Sequence, residues 1–270
     1  MRWLLSLLSA GCLFGASSPE MLDRGYRHMY NLEFNEAHST FEEYQRQWPA
    51  DPLGPVSNAA AYLFAEFDRL NILQSEFFTD DDNFFFPKKL TANPAAREGF
   101  NRETAQGDRL ADQIIEKDPN DRDALFARLM NIGLRSDYAG LIEKRRMESV
   151  KGLKATRLLA EKLLTIDPQY YDAHIAIGVE NYILSLKPAP VRWVLQWNGA
   201  ETDKRKGLDN VKQTAEKGRF LRPFARLLMA VAALRDKDTK TAIGILAELQ
   251  RQFPHNRLYS EELARLRGKS

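Results

Sequence analysis

Gly25-Tyr26-Arg27-His28-Met29-Tyr30-Asn31-Leu32-Glu33-Phe34-Asn35-Glu36-Ala37, continued through Phe41 to Pro49, carries the clearest structural pattern in the chain. Small residues stand at Gly25 and Ala37, rings at Tyr30 and Phe41, and a proline closes the run. A proline just past a helix stops its propagation, because it lacks the N–H and crowds the preceding turn, yet it is comfortable at the start of the next helix. Pro49 therefore predicts a corner between two helices. From about Met21 onward apolar residues recur at helical spacing and β-branched alternation is scarce, so the chain reads as helix after helix.

The same ending occurs three more times. Leu110 to Asp118 stops at Pro119, Leu158 to Asp167 at Pro168, and Ile243 to Phe253 at Pro254. Twelve residues before the four prolines stand Ala37, Gly107, Thr156 and Ala242; ten residues after them stand Ala59, Leu129, Gly178 and Ala264. All but Leu129 are small. Small side chains at fixed offsets from a corner are what paired helices need where their backbones approach most closely.

These residues together resemble the tetratricopeptide repeat, a helix–turn–helix unit of about 34 residues with small, aromatic and proline positions at fixed places. The match is carried by Gly25, Tyr30, Ala37, Phe41 and Pro49, and at the other end by Ala230, Ala242, Leu246 and Pro254. The leading tryptophan of the motif is absent, and the middle matches are partial. The intervals between the corner prolines read as one or two repeats plus an insertion. The string Tyr171-Asp172-Ala173-His174, with Tyr182, Trp193, Trp197 and Gly218-Arg219, is similar to exported bacterial proteins of this repeat class. The resemblance implies an all-α fold: an α-solenoid of about five antiparallel helix pairs with insertions in the middle repeats, and a capping helix over His255 to Arg267.

In such stacks the first helix of each pair lines a concave surface where partners bind. That geometry turns Tyr26, Tyr30, Leu63, Phe64, Phe126, Met130, Ile175, Val179, Tyr182 and Leu227 inward as a candidate binding face, apolar and aromatic. Two states of this face stay open: a groove for a protein or peptide partner, or a core filled by the insertions. The first insertion carries Phe84, Phe85 and Phe86 after the acidic turn Asp80-Asp81-Asp82-Asn83, and the second carries Trp193 and Trp197, four apart and so on one face if helical. Both are candidate lids or partner contacts, and packing of the tryptophans on their own domain is the competing reading.

Residues 1–18 have the layout of a secretory signal peptide, with Arg2 before an apolar run and small residues after it. The one cysteine, Cys12, lies in Leu8-Ser9-Ala10-Gly11-Cys12, which resembles the lipobox of bacterial lipoproteins except for Ser9 at the usual leucine. The chain is thus expected to be exported, periplasmic or envelope-associated, with residues 19–270 as the repeat domain. Lipidation at Cys12, and so a membrane anchor, and simple cleavage near Ser17 both stay open.

Lysine plus arginine (39) nearly balance aspartate plus glutamate (37), which argues against a general nucleic-acid binder. Histidines 28, 38, 174 and 255 are scattered, and no phosphate loop or nucleophile elbow is present, so neither a metal nor a cofactor is expected. An acid–base site from Glu180 or Asp172 beside His174 is the remaining catalytic option. The reading that results is a non-catalytic scaffold for protein–protein contact. Its alternative is a carrier of a small hydrophobic ligand or lipid in the aromatic-lined groove.

Overall fold

The computed structural model describes residues 18–74 and 90–268. Among them are twelve α-helices and no strand: α1 (Ser18–Tyr30), α2 (Phe34–Gln47), α3 (Leu53–Arg69), α4 (Pro94–Ile115), α5 (Arg122–Asp137), α6 (Arg146–Ile166), α7 (His174–Ser185), α8 (Ala189–Trp197), α9 (Lys204–Lys217), α10 (Arg222–Arg235), α11 (Thr239–Gln252) and α12 (Arg257–Gly268). They pack in neighbouring pairs, α1 with α2, α3 with α4, α5 with α6, α7 with α9 and α10 with α11, while α12 covers α11. Helix α8 is inserted within the fourth pair. The segment between α3 and α4 likewise interrupts the second.

Each of the four prolines sits between one pair and the next element. The turns that contain them share one hydrogen bond, from the N–H three residues on to the carbonyl just before the proline: Asp51 to Trp48, Asp121 to Asp118, Tyr170 to Asp167 and Asn256 to Phe253, each 3.1 Å. Trp48, Asp167 and Phe253 have nearly the same backbone angles, φ −127, −136 and −128 with ψ 68, 95 and 72. A residue before proline is pushed out of the helical region by the ring, which ends the helix at that point. The fourth pair ends instead at Gly218, and Pro223 falls inside the first turn of α10.

The corners inside the pairs are built differently. Leu32, Asn71, Lys144 and Lys237 have φ of 62, 57, 65 and 61, the left-handed conformation that usually selects glycine. The residue after three of them reaches back five positions, Glu33 to His28 at 3.0 Å, Ile72 to Phe67 at 2.8 Å and Asp238 to Ala233 at 2.8 Å, and so closes the last helical turn. Lys237 is exposed. Lys237→Gly is therefore expected to stabilise the fold by about 0.5 kcal/mol, relief of left-handed strain offset by a freer unfolded chain, measurable by urea titration.

Small residues hold the helices close. A Cβ on Gly25 would meet the Phe41 ring at 2.3 Å, and one on Gly107 would meet Val56 Cγ2 at 2.6 Å. Ala37, Ala59 and Ala242 have no exposed surface. Two expectations need correction. Ala264 is exposed, because α12 has no further helix to pack against its outer side, and α12 begins at Arg257 because His255 and Asn256 still belong to the proline turn.

The turns at either end of the last pair also contact the first pair. Tyr30 Oη donates to the Phe220 carbonyl at 2.9 Å, Asn256 Nδ2 to the Tyr30 carbonyl at 2.9 Å, and the His255 amide to Asn31 Oδ1 at 3.2 Å. Rings follow the same path: Tyr26 stacks on Phe220 at 4.9 Å, and Tyr30 meets Phe253 at 5.5 Å. Ion pairs from Arg219 to Asp23 and from Arg257 to Asp68 border the seam. The first helices thus face a shared interior, with α1 and α5 both in ring contact with Phe220.

Candidate functional site

Two apolar chambers occupy that interior. The inner one, a cavity of about 90 Å³, is walled by Tyr26, Tyr30, Phe64, Met130, Ile175 and Val179, joined by Phe67, Leu134, Thr156, Leu221 and Phe224. The outer one, about 190 Å³, lies between α3, α10 and α12 and takes Leu227, Val231, Leu246 and Tyr259. Met29, Tyr30, Phe64 and Phe224 line both and form the wall between them. Seven of the ten residues placed on the inner face by sequence therefore border a chamber. Leu63, Phe126 and Tyr182 do not: Leu63 is buried in α3, Phe126 packs on Tyr170 and Phe220, and the Tyr182 backbone lies against Gly207.

Asp137, at the end of α5, also lines the inner chamber. Among the described residues no hydrogen bond or ion pair reaches its carboxyl. Burial without a partner pushes its pKa up to about 7. The raised value means that the folded state holds a proton which the unfolded state gives up near pH 4. The favourable contribution is complete below that point and is lost as pH rises through about 7. Relative to Asp137→Asn, the wild-type protein should be about 2 kcal/mol less stable at pH 8 and equal at pH 3.5, as read by chemical denaturation at both pH values. Equal stability at both would show that the carboxylate has a partner or reaches bulk water.

The residues of the catalytic option each have other hydrogen-bond partners. Asp172 accepts the backbone N–H groups of Arg219, Phe220 and Leu221 at 2.8, 3.3 and 2.9 Å, which fixes the turn between α9 and α10. Burial raises its pKa, and those N–H groups oppose the rise. His174 Nδ1 lies 2.8 Å from Asn210 Oδ1 on α9. Glu180 is fully buried and accepts from Arg157 Nε at 2.6 Å. Arg157 in turn binds Glu161 and donates to the Gly199 carbonyl at 3.0 Å. Among the described residues no group of three histidine, cysteine or acidic side chains is placed to hold a metal.

Helix α8 stands apart. It has no buried residue, and Trp193, Val194 and Trp197 are 65, 58 and 90% exposed. With Pro190 they stand at i, i+3, i+4 and i+7, the spacing of the face a helix ordinarily buries, but here turned to solvent. The opposite face is tied down: Arg192 Nη1 donates to the carbonyls of Ser185 and Lys187, and Lys154 Nζ to that of Asn198 at 2.7 Å. Phe84, Phe85, Phe86, Cys12 and the rest of the leader up to residue 17 lie outside the described residues, while Ser18 begins α1. Compared with family models, curated proteins and solved structures, the chain matches none.

Proposed function

We propose that this chain is a tetratricopeptide-like adaptor, a solenoid of five helix pairs and a cap that binds without transforming what it binds. The repeated proline turns, the left-handed corners within pairs and the small-residue contacts support the repeat reading. The seam between the last and first pairs leaves the inner face as two small chambers, so the contact surface of the adaptor is external. The observation that carries this is the apolar face of α8, since a run of large exposed apolar side chains on one helix marks an interaction site. A benzophenone photo-crosslinker at position 197 should give adducts in the producing cell's envelope, and one at position 64, in the chamber wall, should give none. Adducts at 64 without any at 197 would return the contact to the inner face.

A second reading rests on the chambers, whose apolar walls suit a small hydrophobic molecule. Native mass spectrometry of purified protein distinguishes it, because a carried ligand adds a discrete mass that Phe64→Trp, filling the shared wall, removes.

A further inference from the structure

We infer that the exposed face of α8 seats the protein on an anionic lipid surface, an inference that rests on the adaptor reading and names what α8 meets. The apolar part is the arc of Trp193, Val194 and Trp197 with Val191 at its edge, all exposed and without a charge among them. Tryptophan is the side chain most at home at the boundary of headgroups and acyl chains, where its ring is in apolar contact and its N–H stays wet. A short helix with such a face lies in the plane of that boundary.

The surroundings supply the charge. The N-terminal part of α6 meets the two ends of the α8 segment: Lys154 Nζ donates to the Asn198 carbonyl just after α8, and Arg146 lies near Lys187 just before it. Met147, 71% exposed, adds a further apolar side chain on that neighbouring helix. Residues 143–154 and 187–198 hold seven basic side chains against two acids, Glu143 and Glu148, while the whole chain is near balance at +2. Both acids are engaged by the one side chain of Arg145, Glu143 at 3.3 Å and Glu148 at 2.5 Å. The net positive charge of these two segments, which flank the protruding apolar arc, complements an anionic bilayer.

A protein partner fits this surface less well. Protein interfaces are depleted in lysine, and their anchoring tryptophans sit in packed pockets ringed by contacts that exclude water. Trp197 projects from a convex helix with 90% of its surface open. Seated in this way, the adaptor would present its remaining surface to protein partners.

The test uses the full chain with Trp3→Phe, so that Trp48, at the end of α2 and in ring contact with Tyr44, is the internal reference beside Trp193 and Trp197. The probes are vesicles of phosphatidylglycerol mixed with phosphatidylcholine, vesicles of phosphatidylcholine alone, and both with acyl chains brominated near the headgroup. The expected result is a blue shift and bromine quenching on the anionic vesicles, weakened by salt, with Trp193→Ser/Trp197→Ser reducing the bound fraction about tenfold. Binding by the double variant equal to that of the parent, or emission from residues 193 and 197 left unquenched, overturns the inference. If the vesicles are inert while position 197 crosslinks to a protein, the lipid assignment falls and the adaptor reading stands. If neither occurs, both fall.

Discussion

Gly207→Ala is expected to cost about 3 kcal/mol, an effect far larger than one methyl group usually has, because the added carbon would meet backbone and not a side chain that can swing away. A Cβ at Gly207 would lie 2.6 Å from the Tyr182 nitrogen, 2.9 Å from its Cα and 3.0 Å from the Gly178 carbonyl oxygen. Gly178 has the reciprocal problem, with the Val211 nitrogen at 2.8 Å and the Gly207 oxygen at 3.0 Å. Helices α7 and α9 therefore touch main chain to main chain and would have to separate. For a chain of this size the loss lowers the melting temperature by roughly 6 to 12 °C. Gly244 is the control: it is also in mid-helix, but nothing lies within 4 Å of its would-be Cβ. There alanine should stabilise by about 0.5–1 kcal/mol through helix propensity alone. Equal effects at the two positions would mean that α7 and α9 are not in this contact.

Arg157→Leu should be comparably damaging, for an electrostatic reason. Arg157 is 6% exposed and Glu180 not at all, and the guanidinium ties α6 to α7 and, through Gly199, to the segment that carries α8. Burial already outweighs the attraction of Arg157 and holds the Glu180 carboxyl above its ordinary range. Removing the cation strands that carboxyl, at a cost of about 3–5 kcal/mol. The double variant Arg157→Leu/Glu180→Leu should recover most of the loss, since a buried pair is worth little over apolar packing. A double variant no more stable than the single one would place the effect in lost packing of the arginine stem.

How far the fold could be read from sequence follows from what leaves a local trace. The four prolines do, because proline acts on the residues beside it, and all four lie in equivalent turns. The corners within the pairs left little: Leu32, Lys144 and Lys237 take the left-handed conformation without the glycine that would have announced it, and Asn71 alone is of a type that often adopts it. The seam between first and last pairs was equally silent, since Tyr30 and Phe220 are 190 residues apart and each looks like any helical or turn aromatic.

The site shows the same division. Periodicity placed Tyr26, Tyr30, Phe64, Met130, Ile175, Val179 and Leu227 on an inward face, and these border the chambers. It placed Leu63, Phe126 and Tyr182 there as well, because a helical stripe does not distinguish the wall of a cavity from the packing behind it. Asp137 was invisible, since an acid at a helix end usually faces water. The spacing of Trp193 and Trp197 fixed that they share a face but not which way it turns, and the ties of Arg192 and Lys154 to nearby carbonyls decide that.

The proposal of α8 as the contact surface depends on closure of the helical stack upon itself. Small-angle X-ray scattering of the monomer measures it directly. A chain closed in this way should have the radius of gyration of a compact domain of its length, about 18 Å. A radius several ångströms larger, with the extended distance distribution of an open superhelix, would contradict it and reopen the concave groove as the binding site.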